Sequence, residues 1–196
     1  EYAGFIIAKE KGYYADAGLD VDLREYDSGI DIVDEVLSQR TNYGIHNSSL
    51  VINDGELEPV ILMATYYQQS PLVFVVSGDI KSPRDLMGKT IMGTQDELKY
   101  SSLALLLNHF YINNKNAFFQ NHSFNIDDFI AGKVDAMTAF RTNQPYLLDK
   151  QGIKYNIIDP ADFGFFMSAV NLFTSHAEAI DHSDRTRKFI TASNKG

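Results

Sequence analysis

The sequence predicts an α/β fold with mainly parallel sheets, and three observations lead to that prediction. Short apolar segments alternate with helical segments along the chain, the order that places parallel strands in a sheet covered by helices. Four of the apolar segments run directly into a polar cluster that opens a helix. Two further apolar runs, at 60–67 and 72–76, are continuous, as in strands that are buried on both faces.

The first part of the chain predicts two short helices, a strand and a third helix. An amphipathic helix begins at Phe5 and stops at Gly12, and one further turn ends at Gly18, since glycine readily adopts the left-handed conformation that closes a helix. Residues 19–23 alternate apolar with acidic side chains, the pattern of a half-buried strand. An apolar stripe at helical spacing over 30–37 predicts the third helix.

The later elements continue the alternation. Strands are predicted at 43–46, 60–67, 72–76, 89–92, 118–122, 135–140, 155–158 and 165–173. Helices are predicted at 50–53, from Pro83 behind the cap Ser82, and at 97–111, 126–131, 145–150 and 183–192.

Four polar clusters lie where a strand ends and a helix begins. They are Asp27-Ser28-Gly29, Asn47-Ser48-Ser49, Thr94-Gln95-Asp96 and Thr142-Asn143-Gln144. Open α/β sheets bind ligands at the carboxyl ends of their strands, so these clusters are expected to line one cleft. The alternative is ordinary helix capping, because Ser, Thr, Asn and Asp are the usual caps.

Composition excludes several classes of function. The chain of 196 residues has a net charge of −9 and no basic run, which argues against binding to nucleic acid or to anionic membranes. It has no cysteine, so disulfides, thiolate nucleophiles and Cys-based metal sites are excluded. The five histidines show no metal-ligand spacing with carboxylates, and no nucleotide-binding glycine pattern or nucleophile elbow occurs. No metal, cofactor or catalytic residue is predicted.

A set of short motifs, ordered along nearly the whole chain, carries a family resemblance. The motifs are Tyr2-Ala3-Gly4-Phe5, Ala8-Lys9-Glu10-Lys11-Gly12-Tyr13-Tyr14, Ala17-Gly18-Leu19-Asp20-Val21, Gly44-Ile45-His46-Asn47-Ser48, Gln68-Gln69-Ser70-Pro71-Leu72, Ser82-Pro83-Arg84-Asp85-Leu86-Met87-Gly88-Lys89, His122-Ser123-Phe124-Asn125, Gly132-Lys133-Val134-Asp135-Ala136-Met137, Thr142-Asn143-Gln144-Pro145-Tyr146 and Asp159-Pro160-Ala161-Asp162-Phe163-Gly164. In order and spacing they resemble the SsuA/thiamine-pyrimidine-precursor class of periplasmic substrate-binding proteins.

The resemblance implies a type II periplasmic-binding-protein fold, in which two α/β lobes joined by a two-strand hinge close on a ligand. Residues 1–72 and 168–196 would form lobe 1, and residues 73–167 would form lobe 2. The family's first strand and its terminal helices have no counterpart here, so the chain is expected to be a segment truncated at both ends. Gln69 stands where the family commonly has His, and Gln144 where it commonly has Glu.

The candidate ligand contacts combine the polar clusters with residues near the proposed hinge. They are Asn47, Ser48, Gln69, Ser70, Asp96, Thr142, Asn143, Phe5, Tyr67 and Asp162. Amides and hydroxyls offer both donors and acceptors, and aromatic rings stack on flat molecules. Because no pair of Arg or Lys residues converges at the clusters, a neutral or weakly cationic planar ligand, such as a pyrimidine, is expected. The alternative for each residue is capping or core packing.

The expected function is a non-catalytic, extracytoplasmic binding module that captures a small molecule. The resemblance implies two settings. The module would be either the sensor domain of a membrane-anchored kinase or cyclase, or the periplasmic binding protein of an ABC importer with a membrane permease as partner. The sensor is favoured because the chain has the character of an excised domain. The alternative is an enzyme of thiamine-pyrimidine biosynthesis on the same fold, although the cysteine-rich motif of the fungal synthase branch is absent.

Overall fold

The computed structural model describes residues 2–25, 30–47 and 60–196. The chain divides into two compact units. Unit 1 consists of Glu1–Tyr66 and Val170–Gly196, and unit 2 consists of Tyr67–Ala169. The described helices are all too short or too polar to cross a bilayer.

The described elements follow the predicted alternation. The strands are β1 (Tyr43–His46), β2 (Val60–Tyr67), β3 (Leu72–Ser77), β4 (Thr90–Gly93), β5 (Phe118–Asn121), β6 (Ala136–Phe140), β7 (Tyr155–Ile158) and β8 (Ala169–Ser175). The helices are α1 (Ala3–Glu10), α2 (Tyr13–Asp16), α3 (Ile32–Leu37), α4 (Gln95–Tyr100), α5 (Ser102–His109), α6 (Asp127–Ile130), α7 (Gln144–Lys150), α8 (His176–Asp181) and α9 (Ser183–Ser193), with 3₁₀ turns at Pro83–Leu86 and Pro160–Phe163.

Unit 1 contains a three-stranded sheet in the order β1-β8-β2. Strands β1 and β8 are antiparallel, with Tyr43 opposite Thr174. The core beside this sheet is aromatic, because the Phe189 ring in α9 stacks on Tyr43 at 4.2 Å and on Tyr14 at 5.3 Å between ring centroids. Phe5 in α1 is buried in the same cluster. The first and last segments of the chain therefore share one hydrophobic core.

Unit 2 contains a five-stranded sheet in the order β5-β4-β6-β3-β7. Strand β4 pairs in parallel with β5 and β6, whereas β3 is antiparallel to β6 and β7. The sheet is therefore mixed: β3 begins at the edge where β6 ends, and the Arg141 N–H donates to the Pro71 carbonyl oxygen across that edge at 2.9 Å. Phe74 and Val75 of β3 belong to separate core clusters, which places apolar packing on both faces of the sheet.

Several elements differ from the sequence prediction. The helix predicted at 97–111 is two helices, since Ser101 is extended and its hydroxyl accepts a hydrogen bond from the Leu103 N–H at 3.0 Å, which starts α5 afresh. Residues 19–23 alternate between half-buried and exposed as predicted but form no strand with any described segment. The last strand begins only at Ala169, and β2 is not fully buried, since Leu62 is exposed. The helix predicted at 50–53 lies outside the described residues.

Candidate functional site

The carboxyl ends of three parallel strands meet at one edge of unit 2. Strands β5, β4 and β6 lie side by side and run in the same direction. The residues that follow them are His122, Thr94 and Arg141 respectively. Open α/β sheets bind ligands at this edge.

The corner between β4 and α4 is held by a reciprocal set of hydrogen bonds. The Thr94 hydroxyl accepts from the Glu97 N–H at 3.2 Å, and the Glu97 carboxylate accepts from the Thr94 N–H at 3.0 Å. The same Glu97 oxygen accepts from the buried Thr138 hydroxyl in β6 at 2.6 Å. Thr94 is therefore a helix cap. Asp96 is exposed in the first turn of α4 and makes no hydrogen bond or ion pair with a described residue.

At the corner between β6 and α7, two polar side chains have no partner among the described residues. Asn143 occupies the N-cap position of α7, but its side chain makes no capping hydrogen bond. Its backbone N–H donates to the Phe140 carbonyl oxygen at 2.8 Å, and the Gln144 side-chain oxygen accepts from the Phe140 N–H at 2.9 Å. The side chains of Thr142 and Asn143 are exposed and bond to none of the residues that the structure describes. Capping therefore does not account for the Asn143 side chain.

Arg141, next to this corner, was not among the predicted site residues. Its guanidinium donates to the Asp159 carboxylate at 2.6 Å, and the buried Asp159 also accepts from the Ala161 N–H at 2.9 Å. Half of the Arg141 side chain is exposed. The end of β6 therefore carries a positive charge that the Asp159 carboxylate neutralises. An arginine placed directly between a buried strand and a polar cluster is the signal that could have indicated it. Asp162 is exposed in the 3₁₀ turn that Asp159 caps.

Three candidates lie where β2 passes into β3. Ser70 donates its N–H to the Met167 carbonyl oxygen at 2.7 Å, and its hydroxyl accepts from the Leu72 N–H at 3.3 Å. Gln69 is exposed and Tyr67 is half-buried. Because β3 begins beside the end of β6, Gln69 and Ser70 lie on the chain segment next to the α7 corner.

The two described candidates in unit 1 differ in burial, since Asn47 is exposed and Phe5 is buried. Asn47 is exposed directly after β1, and its carbonyl oxygen is 3.2 Å from His46 Nδ1. Phe5 is only 5% exposed and packs edge-to-face on Tyr66 at 5.1 Å, so its ring is occupied by core packing. Ser48, with the rest of its cluster, and the cluster at 27–29 lie outside the described residues.

His122 has both ring nitrogens engaged within unit 2. Its Nδ1 accepts from the Phe124 N–H at 2.8 Å, so the neutral ring carries its proton on Nε2 and donates to the Thr138 carbonyl oxygen at 2.9 Å. The partners of both nitrogens are backbone groups, not a carboxylate or a serine hydroxyl. No cluster of three or more His, Asp or Glu suited to a metal ion occurs among the described residues.

A surface pocket of about 380 Å³ lies beside the ends of β4 and β5. Its polar lining includes Gln95, Lys99, Asn108, Gln120 and Asn121. The nine predicted site residues that the structure describes are not part of its lining.

Comparison with known proteins shows the family and the fold. The profile of the family described as NMT1/THI5 like matches residues 1–196. The riboflavin-binding protein RibY of Chloroflexus aurantiacus is 26% identical over 209 residues, which cover all of this chain and 58% of RibY. A structure from Bordetella bronchiseptica RB50 superposes with a TM-score of 0.77 at 18% identity, covering 99% of this chain and 66% of the other. The periplasmic aliphatic sulphonate-binding protein SsuA of Escherichia coli superposes with a TM-score of 0.71 at 15% identity, covering 97% of this chain and 65% of SsuA.

These comparisons confirm the predicted class. The fold is that of the type II periplasmic binding proteins, and RibY and SsuA are named as binding proteins rather than enzymes. The chain spans only 58% of the length of RibY. From the profile that matches its whole length, the chain belongs to the NMT1/THI5-like family.

Proposed function

We propose that this chain is a non-catalytic module that captures a small planar molecule between two closing lobes. The observation that carries the proposal is the α7 corner, where the Thr142 hydroxyl and the Asn143 amide are exposed and bond to no described residue. A polar side chain at a helix N-cap ordinarily satisfies the helix, so one that does not is available to a ligand.

The chemistry of the edge favours a neutral or weakly cationic ligand. The Asn143 amide supplies a donor and an acceptor, and Asp96 can accept from a ring N–H or an amine. Among the residues that the structure describes, Arg141 is the cation next to this corner, and Asp159 compensates its charge at 2.6 Å. A sulfonate or phosphate would meet little uncompensated positive charge there. The name of RibY, a relative that binds a flat heterocycle, supports the same ligand class.

The remaining contacts belong to the same proposal. Lobe 1 (1–72 and 168–196) would contribute Asn47 and Ser48, and the crossing would contribute Tyr67, Gln69 and Ser70. Lobe 2 (73–167) would contribute Asp96, Thr142, Asn143 and Asp162. Phe5 is left out because its ring is buried in the core. Contacts made only in the closed form would shift the population toward closure.

We place the module outside the cytoplasm, as the input domain of a membrane signalling protein or as the binding protein of an ABC importer. The E. coli neighbour is named as periplasmic, which supports this location. A transmembrane helix followed by a kinase or cyclase domain in the complete gene product would identify the sensor. A separate gene for a permease beside it would identify the importer.

The test is isothermal titration calorimetry with riboflavin, 4-aminopyrimidine, glutamine and taurine. Replacing Asn143 with Ala should weaken binding of the best planar compound about 5-fold, the effect of losing one hydrogen bond of roughly 1 kcal/mol. The control is Gln151→Ala, at the exposed opposite end of α7, which should leave affinity unchanged. Equal affinity for the wild type and the Asn143 variant would refute the site. Chromatography of the recovered compound should return it unaltered, whereas a converted product would favour the enzyme.

A further inference from the structure

Phe124, in the loop after β5, combines two unfavourable properties. Its side chain is 80% exposed, and its backbone has φ = +59°. Exposing a large apolar side chain to water is unfavourable. A left-handed backbone conformation is also uncommon for residues other than glycine. A strained backbone at a non-glycine residue raises the question of a functional role, and the location and support of the residue decide it.

The surrounding bonds fix the position of the Phe124 ring. The ring stacks on His122, with 5.1 Å between centroids and 20° between planes. The Phe124 N–H donates to His122 Nδ1 at 2.8 Å, and the His122 Nε2–H donates to the Thr138 carbonyl oxygen in β6 at 2.9 Å. Thr138 is in turn bonded to Glu97 of the α4 corner at 2.6 Å. Phe124 is therefore tied through the His122 imidazole to β6, and through Thr138 to the α4 corner.

The location of the ring coincides with the proposed ligand edge of unit 2. Strand β5 ends at Asn121, beside the end of β4 at Gly93, and Phe124 follows three residues later. Thr94 and Thr142 follow the ends of the two neighbouring strands at the same edge. An aromatic face and the exposed polar groups of the α7 corner thus belong to one edge.

We propose that the Phe124 ring, supported from behind by His122, is the stacking surface for the planar ring of the ligand. This inference rests on the proposed function and specifies its ligand class as aromatic. A ring that is already held in position loses little conformational freedom on binding, so stacking yields more net affinity than a mobile side chain would give. The polar groups of Thr142 and Asn143 would then set the orientation of the stacked ring.

The chain offers a matched control in Tyr111, which follows α5. Its side chain is 79% exposed and its φ is also +59°. It lies near Asn116, whose carbonyl oxygen accepts from the Gly88 N–H, at the amino ends of β4 and β5. Removing this ring changes the exposed aromatic area and the backbone strain in the same way, but at the opposite edge of the sheet.

The experiment compares Phe124→Gly with Tyr111→Gly, since glycine accepts the left-handed backbone at both positions. Binding of riboflavin, 4-aminopyrimidine and the non-planar sulfonate taurine is measured by calorimetry, with thermal unfolding as a check on folding. For the planar probes Phe124→Gly should lose about 3- to 10-fold in affinity, the range expected for one aromatic stack. Tyr111→Gly should match the wild type, and Phe124→Tyr should retain binding.

Each other outcome refutes the inference and shows whether the stacking surface alone or the planar ligand class as well is wrong. If the wild type binds a planar probe and Phe124→Gly binds it equally well, the stacking surface is refuted while the proposed function stands. If Phe124→Gly and Tyr111→Gly lose affinity equally, the effect is not specific to this edge and the inference fails. If the wild type binds taurine alone, or none of the probes, the planar ligand class fails together with the stacking surface.

Discussion

Replacing Glu178 with glutamine should loosen the last helix of unit 1 by a measurable amount. Glu178 in α8 is 6% exposed. Its carboxylate accepts two hydrogen bonds from the Arg185 guanidinium, at 2.8 and 2.5 Å, and one from the Tyr43 hydroxyl at 2.9 Å. These bonds connect α8 and α9 to β1. Glutamine keeps the volume of the side chain and removes its charge.

The magnitude follows from the number and kind of bonds. A hydrogen bond to a charged group contributes about 1.5–3 kcal/mol, and the substitution weakens the bidentate bond to Arg185. Because the Arg185 side chain is half-exposed, water compensates part of the loss, which leaves about 2 kcal/mol. Local opening of α9 should therefore become about 30-fold more frequent.

Hydrogen exchange followed by mass spectrometry measures this opening directly from the α9 amides. The control is Asp184→Asn, which removes the exposed ion pair with Lys188 on the same helix and should leave the exchange rates of α9 close to those of the wild type. Wild-type exchange rates in α9 of the Glu178 variant at pH 7 would refute the reasoning.

The destabilisation of α9 by Glu178→Gln should also depend on pH, because the structure perturbs the pKa of Glu178. Burial raises the pKa of the Glu178 carboxyl, but the hydrogen bonds from Arg185 and Tyr43 outweigh it, and the pKa is lowered below its ordinary value of 4.5. A lowered pKa in the folded state gives stability that is present above pH 4.5 and is lost as the pH falls through the folded-state value. The exchange-rate ratio between variant and wild type should therefore shrink on acidification below pH 4.5, and a constant ratio would contradict this account.

Two further predictions concern packing at the edge of unit 2 and ionisation in unit 1. A Cβ at Gly93 would lie 2.7 Å from Thr138 Cγ2, so Gly93→Ala should lower the free energy of unfolding of unit 2 by about 1–3 kcal/mol in urea titrations. Gly78→Ala, where nothing lies within 4 Å, should have no comparable effect. Burial raises the pKa of Tyr43 to about 12, above its ordinary 10.0, so its contribution to stability is full below pH 10 and is lost as the pH rises to 12. Tyr43→Phe should flatten the alkaline limb of a stability–pH profile, and an unchanged limb would count against the burial argument.

Local sequence patterns predicted most of the strands and the ends of several helices. The apolar run at 72–76 became β3, and Ser82-Pro83 opened a 3₁₀ turn with its cap in place. Such features depend on residues within one turn or one strand of each other. The break at Ser101 shows the limit, since Ser also occurs inside helices, and only the extended backbone of Ser101 identifies it as a cap.

The candidate site was less accessible to sequence reasoning because it depends on distant partners. The sequence showed that Asn143 could either cap a helix or contact a ligand, and only the observed bonds show that its side chain does not cap α7. The compensation of Arg141 by Asp159, and the support of Phe124 by His122 and Thr138, join separate strands and loops. No periodicity or spacing in the sequence encodes contacts of that kind.

Strand β5 has a consequence for how the protein behaves at high concentration. It is the outermost strand of its sheet, all four of its residues are exposed, and its sequence Phe-Phe-Gln-Asn carries no charge. An uncharged edge strand can pair by backbone hydrogen bonds with the same strand of another molecule, which is the first step of aggregation. The net charge of −9 opposes that encounter through mutual repulsion, which dissolved salt weakens over about 10 Å at 0.1 M. Aggregation through this edge strand should therefore increase as the salt concentration rises.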